Sequence, residues 1–408
     1  MTTLSVRVCY FAVLVHLSAT SVAADKPITA RQARAIHERI VTLDTHLDTP
    51  SSFARAGWSI MDKHDYATNL TQVDYPRMKA GGLDGGFWAV YTPQGPRTEA
   101  GERAARDAAL VRALEIHSMV AANRETFALA LNADDAVRIA AAGKRIVFLS
   151  IENGYPIGSD LSLLDTFYKL GVRLFGPVHF RNNGLGDSAT DPSGPEWKGL
   201  SPLGKQLVVE ANRLGIVLDA SHASDDVFDQ MIALSKTPIM LSHSGCKTVY
   251  NHARNLDDDR LRKLAAAGGV IQINSLSDYL IPSTPNADRD RELAAVNAKY
   301  GRIGALSQDK VRELAAARRK VNEKYPSRRA TFDDFMNHVL HAIKVAGVDH
   351  VGIGADWDGG GGVTGMEDVG DLPKITERLL NAGYSEQDVA KVWSGNALRV
   401  LRAAGVKR

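Results

Sequence analysis

Val41-Thr42-Leu43-Asp44-Thr45-His46-Leu47-Asp48-Thr49-Pro50 decides the fold, because a short apolar run here delivers two polar side chains at the end of a predicted β-strand. In an extended strand residues i and i+2 point to the same face, so His46 and Asp48 can hold one ion together. An imidazole and a carboxylate are suited to zinc. His-x-Asp alone is common, and a buried histidine beside a helix-capping aspartate explains it equally well. The choice between the two interpretations depends on whether the rest of the chain repeats the arrangement.

The rest of the chain alternates short apolar runs with helical patterns. Such runs are typical of strands buried on both faces, and eight βα units in strict alternation predict an α/β fold, a (β/α)₈ TIM-type barrel of the metal-dependent hydrolase kind. A doubly wound open sheet is the rival, but no Gly-x-Gly-x-x-Gly follows the first strand. The predicted strands span residues 41–46, 86–91, 145–150, 172–177, 215–220, 237–242, 269–274 and 350–355, with helices predicted over 29–40, 75–82, 98–123, 133–142, 161–170, 201–214, 225–235 and 257–267 and in three segments after the last strand.

Residues 278–331 interrupt this alternation after the seventh strand. The segment is rich in Arg, Lys, Glu, Asp and Ala and has helical periodicity around Gln308 to Glu323, which predicts a charged, exposed helical insertion. Its mixed charges favour a solvated face, and a lid or a contact in a homodimer is the less favoured alternative. Residues 25–408 are otherwise predicted to form a single barrel domain.

Residues 1–24 resemble a secretory signal peptide, which predicts an exported protein, either periplasmic or secreted. Arg7 precedes an apolar stretch over residues 10–17 that is too short to cross ~30 Å of hydrocarbon. Small residues at 22–24 offer a cleavage site. We therefore expect no transmembrane span in the mature chain.

Charge and cysteine content narrow the function classes. A net charge of +2 gives no support to nucleic acid or an anionic surface as a partner. Cys246 is the one cysteine after residue 24, so the mature chain has no intramolecular disulfide. We expect Cys246 to be a small buried core residue rather than a reactive thiol.

Side chains that can bind metal recur at the predicted carboxyl ends of the strands, where barrels of this kind place their active sites. Each one alone has an ordinary structural explanation: Glu152 can accept from the amides of its glycine turn, and His222 can be a satisfied histidine before a helix. It is much less plausible that so many of the eight strand ends carry zinc-type ligands by accident. The set is His46, Asp48, Glu152, His179, His222, His243 and Asp356.

Three imidazoles and two carboxylates are more than one zinc ion needs, since such sites usually use three or four protein ligands. A carboxylate between two groups of ligands can hold two ions about 3.5–4 Å apart. We therefore expect two Zn²⁺ per chain, one on His46 and Asp48 and one on His222 and His243. Glu152 is the expected bridge together with a hydroxide, because water between two such cations loses a proton near neutral pH and becomes a nucleophile.

At this point the chain resembles a known family, the membrane (renal-type) dipeptidases, which are binuclear-zinc members of the amidohydrolase superfamily. The resemblance covers nearly all of the chain after residue 24. The segments that carry it are 44–48 (DTHLD), 77–82 (RMKAGG), 151–154 (IENG), 170–173 (LGVR), 210–215 (EANRLG), 219–222 (DASH), 241–244 (LSHS), 253–255 (ARN), 352–356 (GIGAD) and 383–385 (GYS).

The resemblance implies the same division of metal ligands and adds three roles. His179 resembles the histidine that polarises the scissile carbonyl and stabilises the tetrahedral oxyanion. Asp356 resembles the acid/base that takes a proton from the attacking water and passes it to the leaving amine. Arg254 resembles the residue that binds the substrate's terminal carboxylate. Glu152, Asp356 and His179 are thus the expected catalytic residues, and Arg254 and His179 the expected substrate-binding ones.

We expect a zinc dipeptidase that hydrolyses short peptides, including those with a C-terminal D-residue. The chain departs from the family in the seventh strand, where Gln272-Ile273-Asn274-Ser275-Leu276 lacks the usual aromatic residues, so side-chain preference is open. One rival is another hydrolase of the superfamily, such as a lactonase or an N-acyl amino acid amidase. A non-catalytic metal-binding or ligand-binding envelope protein is the other, and an acid/base beside the metals argues against it.

Overall fold

Eight parallel strands form a ring in the computed structural model, which describes residues 27–405. Their order around the ring follows the chain, and two further short strands, β3 and β8, pair with β4 and β7. The predicted TIM-type barrel is confirmed, and each of the eight predicted strands is one of its members. Numbered along the chain, the strands are β1 (Leu43–Leu47), β2 (Gly85–Tyr91), β3 (Phe127–Leu129), β4 (Arg145–Glu152), β5 (Val172–Phe175), β6 (Val217–Leu218), β7 (Met240–Cys246), β8 (Asn255–Leu256), β9 (Val270–Ile273) and β10 (Val351–Ile353).

At two places in the ring, neighbouring strands are joined by only one bridge within the described residues. Within residues 27–405, β6 and β7 are joined by a single parallel bridge between Asp219 and Met240, and β10 and β1 by one between Trp357 and Leu47. We call these contacts the β6/β7 seam and the β10/β1 seam. The other neighbours in the ring pair over two or more registered residues.

The barrel interior is apolar at one end and polar at the other. In β4, Ile146 and Phe148 belong to an apolar cluster, and the two-residue period of a strand places Ser150 and Glu152 next on the same face. Helix α16 (Asn396–Gly405) packs against that cluster. The side chains that the other ring strands contribute to it are Leu43, Phe87, Leu174, Val217, Met240 and Val270.

Helices follow the strands and begin where side chains satisfy the free backbone amides. Thr29 and Gln32 form a capping box before the first helix, and Ser201 caps a helix that has proline at its first position. The remaining helices are α1 (Ala30–His37), α2 (Tyr66–Asn69), α3 (Tyr75–Gly81), α4 (Glu99–Ala122), α5 (Ala133–Ala141), α6 (Ser162–Lys169), α7 (Pro202–Leu214), α8 (Asp225–Leu234), α9 (Asp258–Ala266), α10 (Ser277–Leu280), α11 (Ala287–Tyr300), α12 (Gln308–Lys324), α13 (Phe332–Ala346), α14 (Pro373–Asn381) and α15 (Glu386–Ala390).

The segment 278–331 contains the predicted helix, α12, and a second one, α11. Its surface is less solvated than predicted, because α12 buries Val311, Leu314, Ala315 and Val321. No helix within residues 27–405 is both long and apolar enough to cross a membrane. The predicted signal peptide at residues 1–24 lies outside the described residues.

Candidate active site

The seven predicted metal-binding or acid/base side chains meet at the carboxyl end of the barrel. His46 lies in β1, Glu152 is the last residue of β4, and His243 lies within β7. Asp48 directly follows β1, and the other three lie in the segments after β5, β6 and β10. Their side-chain atoms form three overlapping groups able to hold an ion, which are His46, Glu152 and His243, then Glu152, His179 and His222, and then His46, Asp48 and Asp356.

The Glu152 carboxylate is the centre of this cluster. Its Oε1 lies 3.1 Å from His222 Nε2, 3.4 Å from His243 Nε2 and 3.5 Å from His179 Nε2. Its Oε2 lies 3.5 Å from His46 Nε2, which is also 3.5 Å from Asp48 Oδ2. One carboxylate therefore faces imidazoles at the ends of four strands, a position from which it could bridge two ions.

Metal binding requires an ionised carboxylate and neutral imidazoles. Glu152, His222 and His243 meet this requirement, whereas His46 must lose a proton before it can bind an ion. Burial lowers the pKa of His222 and of His243 well below the usual histidine value, so both rings are neutral. Burial opposes ionisation of Glu152, but the charge of His46 and the interactions with the other surrounding histidines outweigh it and hold the pKa of that carboxyl well below its usual range. Burial also opposes the charge on His46, yet Glu152 and Asp48 raise its pKa well above the usual value.

Several ring nitrogens lack an ordinary protein partner. His46 Nε2 is buried without a hydrogen-bond partner among the described residues. His222 Nε2 and His243 Nε2 lie only 2.9 Å apart, so at most one of them can carry a proton toward the other. Buried polar atoms are normally satisfied, and unpaired ones need an explanation. A metal ion that accepts these lone pairs would satisfy both observations, so the donor set fits the predicted metals.

Asp356 lies at the edge of the cluster in an uncommon backbone conformation. Its φ is 65°, in the left-handed region, and His222 has the same φ of 65°. Such conformations cost free energy for residues other than glycine and recur at functional sites. Burial raises the pKa of Asp356 to about 8. Gly359 packs so closely that a Cβ there would overlap Asp356 Oδ1 and Asp48 Oδ2.

Arg254 lies beside the histidines, just before β8. Its Nη2 donates to the His243 carbonyl oxygen (3.1 Å), and its guanidinium carbon is 5.2 Å from the ring centroid of Tyr279. The side chain is buried, and its Nε has no hydrogen-bond partner within residues 27–405. A buried guanidinium with a free donor can bind a carboxylate that enters the site.

A cavity of about 430 Å³ lies at the opposite end of the cluster, beside Asp48. Tyr91 and Arg112 line it from the barrel, and Arg302 to Ala305 line it from the segment 278–331. Arg112 is paired with Glu115 (2.8 Å). The insertion therefore contributes a wall of the active-site cavity in addition to its solvated face.

Two buried carboxylates behind the predicted ligands were not identified from the sequence. Asp44 accepts hydrogen bonds from the backbone amides of His46 and Ala355, and Asp219 accepts from those of Ser221 and Ser242. Their positions could have been noticed, because each aspartate precedes a predicted ligand histidine by two or three residues, in Asp-Thr-His and Asp-Ala-Ser-His.

Comparison with known proteins agrees with this geometry. The sequence model of the family described as membrane dipeptidase (peptidase family M19) matches residues 30–407. The dipeptidase tcpJ of Claviceps purpurea is 31% identical over 341 residues, which cover 81% of this chain and 68% of that protein.

Solved structures give the same result. The probable dipeptidase PvdM from Pseudomonas aeruginosa superimposes with a TM-score of 0.79 at 30% identity, covering 93% of this chain and 99% of PvdM. A metallopeptidase from Rhodobacter sphaeroides, solved with a phosphinate mimic of the dipeptide L-Ala-D-Ala, gives a TM-score of 0.70 at 26% identity, covering 90% and 99%. The chain therefore belongs to the membrane dipeptidase family, peptidase family M19, and is a metallo-dipeptidase that hydrolyses peptide bonds.

Proposed function

We propose that the protein is a binuclear zinc dipeptidase. His46 and Asp48 would hold one ion, His222 and His243 the other, and Glu152 would bridge the two. The observation that carries the proposal is the Glu152 carboxylate, which has imidazole nitrogens from four strands within 3.5 Å. When bound, the two ions would lower the pKa of a water between them to near neutrality and so supply the nucleophile.

The acid/base is Asp356. Its carboxylate belongs with His46 and Asp48 to one of the three groups, so it faces the reacting centre. A carboxyl whose pKa is raised by burial can take a proton from the attacking water and return it to the leaving amine at neutral pH. His179 contributes an imidazole whose pKa is lowered by burial. Its neutral ring can donate an N–H to the carbonyl oxygen as negative charge develops there.

The substrate is a short peptide with a free carboxylate. Arg254 binds that carboxylate, which fixes the C-terminal residue beside His222 and His243. The N-terminal residue then points toward Asp48 and its cavity. The Rhodobacter sphaeroides relative was solved with a mimic of L-Ala-D-Ala, and this supports tolerance of a D-residue at the C-terminal position.

The test combines metal analysis of the purified protein with a panel of L,L- and L,D-dipeptides, N-acyl amino acids and lactones. We expect about two zinc ions per chain and chelator-sensitive cleavage of dipeptides only. Two ions without dipeptide cleavage would favour the lactonase or amidase alternative. No bound metal after reconstitution would overturn the proposal. Loss of L,D-cleavage alone would refute only the tolerance of D-residues.

A further inference from the structure

The Asp219 carboxylate lies in the β6/β7 seam, directly behind His243. Its Oδ1 accepts from the backbone amides of Ser221 and Ser242, both at 2.9 Å. Its Oδ2 accepts from the Ser242 hydroxyl at 2.5 Å. Ser242 Oγ in turn lies 2.8 Å from His243 Nδ1. Asp219, Ser242 and the ligand histidine are all buried, so water does not compete for these bonds.

The direction of this chain of hydrogen bonds follows from its first member. A serine hydroxyl has one hydrogen, and the short bond to the carboxylate uses it. Ser242 Oγ must therefore accept from His243, which places the ring proton on Nδ1. The Nε2 lone pair then points at Glu152 and His222. The remaining neighbour, Ser221 Oγ, accepts from the His243 backbone amide (3.0 Å) and lies a longer 3.4 Å from Ser242 Oγ.

We propose that Asp219 and Ser242 are positioning residues that fix the tautomer of His243 and thereby prepare it as a metal ligand. The inference rests on the proposed metal site. Ligand histidines commonly donate their second ring N–H to a carboxylate or carbonyl, and loss of that partner typically weakens metal binding 10- to 100-fold. Here the Asp219 carboxylate accepts the Ser242 hydroxyl hydrogen, so the Ser242 oxygen accepts the ring N–H of His243.

Asp219→Asn tests the direction of the hydrogen bonds from His243 through Ser242 to Asp219, with almost no change in side-chain shape. The asparagine oxygen stays on the two backbone amides, because turning its NH₂ toward them would oppose donor to donor. The NH₂ then donates to Ser242 Oγ, which frees the hydroxyl hydrogen to point at His243 Nδ1. The ring proton must move to Nε2, where it blocks the metal.

The first measurement is the tautomer of His243 in the metal-free full chain, from long-range ¹⁵N–¹H NMR correlations of labelled histidines. We expect Nδ1–H in the wild type and Nε2–H in Asp219→Asn. The second is zinc affinity by competition with a chromophoric chelator. We expect one of the two ions to bind about 10- to 100-fold more weakly in the variant. Nδ1–H with wild-type zinc affinity in Asp219→Asn would overturn the proposal.

A second substitution separates the tautomer from a general loss of structure. Ser242→Ala added to Asp219→Asn removes the wrongly directed donor, so the double variant should bind zinc more tightly than Asp219→Asn alone. Equal or weaker binding would refute the proposal. Asp187→Asn is the control for the general cost of a buried Asp→Asn substitution, because both Asp187 oxygens accept from backbone amides and the new NH₂ must oppose one of them. It should lower the free energy of unfolding at least as much as Asp219→Asn does and leave the ring proton of His243 on Nδ1. If the wild type binds no second zinc, the proposed function fails, while the tautomer is still decided by NMR.

Discussion

Gly359→Ala should inactivate the enzyme without unfolding it. The φ of Gly359 is outside the left-handed region, so alanine fits the backbone and strain is not expected. The added Cβ would instead overlap Asp356 Oδ1 and Asp48 Oδ2 at once. Each of these oxygens must withdraw by about 1 Å before the contact is tolerable.

The magnitude follows from that displacement. A misplacement of about 1 Å in a catalytic constellation can cost about 100-fold in rate, which corresponds to about 2.7 kcal/mol of transition-state stabilisation. We therefore expect kcat/KM for a dipeptide to fall about 100-fold at saturating zinc. The free energy of unfolding should change by less than about 1 kcal/mol, because a Gly→Ala substitution at a compatible φ is itself slightly stabilising.

The assay is steady-state hydrolysis with zinc in excess, together with urea unfolding of the same sample. Gly184→Ala is the control, because its Cβ meets nothing closer than 3.9 Å and its φ is also outside the left-handed region. It should behave like the wild type. Wild-type kcat/KM in Gly359→Ala would refute the reasoning, since it would mean that Asp48 and Asp356 need not occupy these positions.

Three further predictions concern the acid/base, the cavity and a buried histidine. Asp356→Asn should lower kcat about 10²- to 10⁴-fold with zinc content unchanged, and loss of the zinc as well would contradict an acid/base role. Arg302→Ala should raise KM several-fold for dipeptides with an acidic first residue and leave alanine dipeptides unaffected, and a uniform effect across the panel would contradict a charge contact. Burial lowers the pKa of His338 to about 4, below the unfolded value of 6.5, so its contribution to stability is present above pH 6.5 and is lost as pH falls toward 4. Urea unfolding measures the decrease in the free energy of unfolding between pH 7 and pH 4. This decrease should be about 3 kcal/mol smaller in His338→Gln than in the wild type, and equal decreases would contradict the prediction.

The barrel was predictable because its strands are continuous apolar runs, a pattern set by burial on both faces. Strands β3 and β8 were not predicted, because two or three residues are too few to show the alternation that identifies a strand. Helix α13 was also absent from the predicted helices, although the capping box at Thr331 and Asp334 marks its start. The helix of the insertion was predicted from its periodicity. The contact of residues 302–305 with the cavity was not, because it depends on tertiary packing that helical periodicity does not reveal.

In the site, residue type and position at a strand end were sufficient to select the candidate ligands, whose roles remain predictions. The left-handed conformation of His222 and Asp356 was not predictable, because histidine and aspartate adopt it more often than most residues but still in only a small minority of positions. The positions of Asp44 and Asp219 were visible in the sequence, but their function was not. Both accept hydrogen bonds from a neighbouring strand, from Ala355 and Ser242, and that neighbour is defined only by the closed ring.

The two seams divide the barrel into unequal arcs, β1 to β6 and β7 to β10. Asp219 bonds across one seam and Asp44 across the other, where the strands themselves are joined by single bridges within residues 27–405. One of the proposed ions would cross the first of these divisions, since its ligands His222 and His243 flank the β6/β7 seam.

Release of the ion proposed between His222 and His243 would therefore weaken the ring at the β6/β7 seam. An ion present at 1,000 times its dissociation constant adds about 4 kcal/mol to the stability of whatever it holds together. In the chelated protein, the amide of Ala220, which donates to Met240 across that seam, should exchange with solvent before the amides of β2 and β4. The two arcs would begin to separate before either unfolds. The metal bound in the catalytic centre would then stabilise the contact between them.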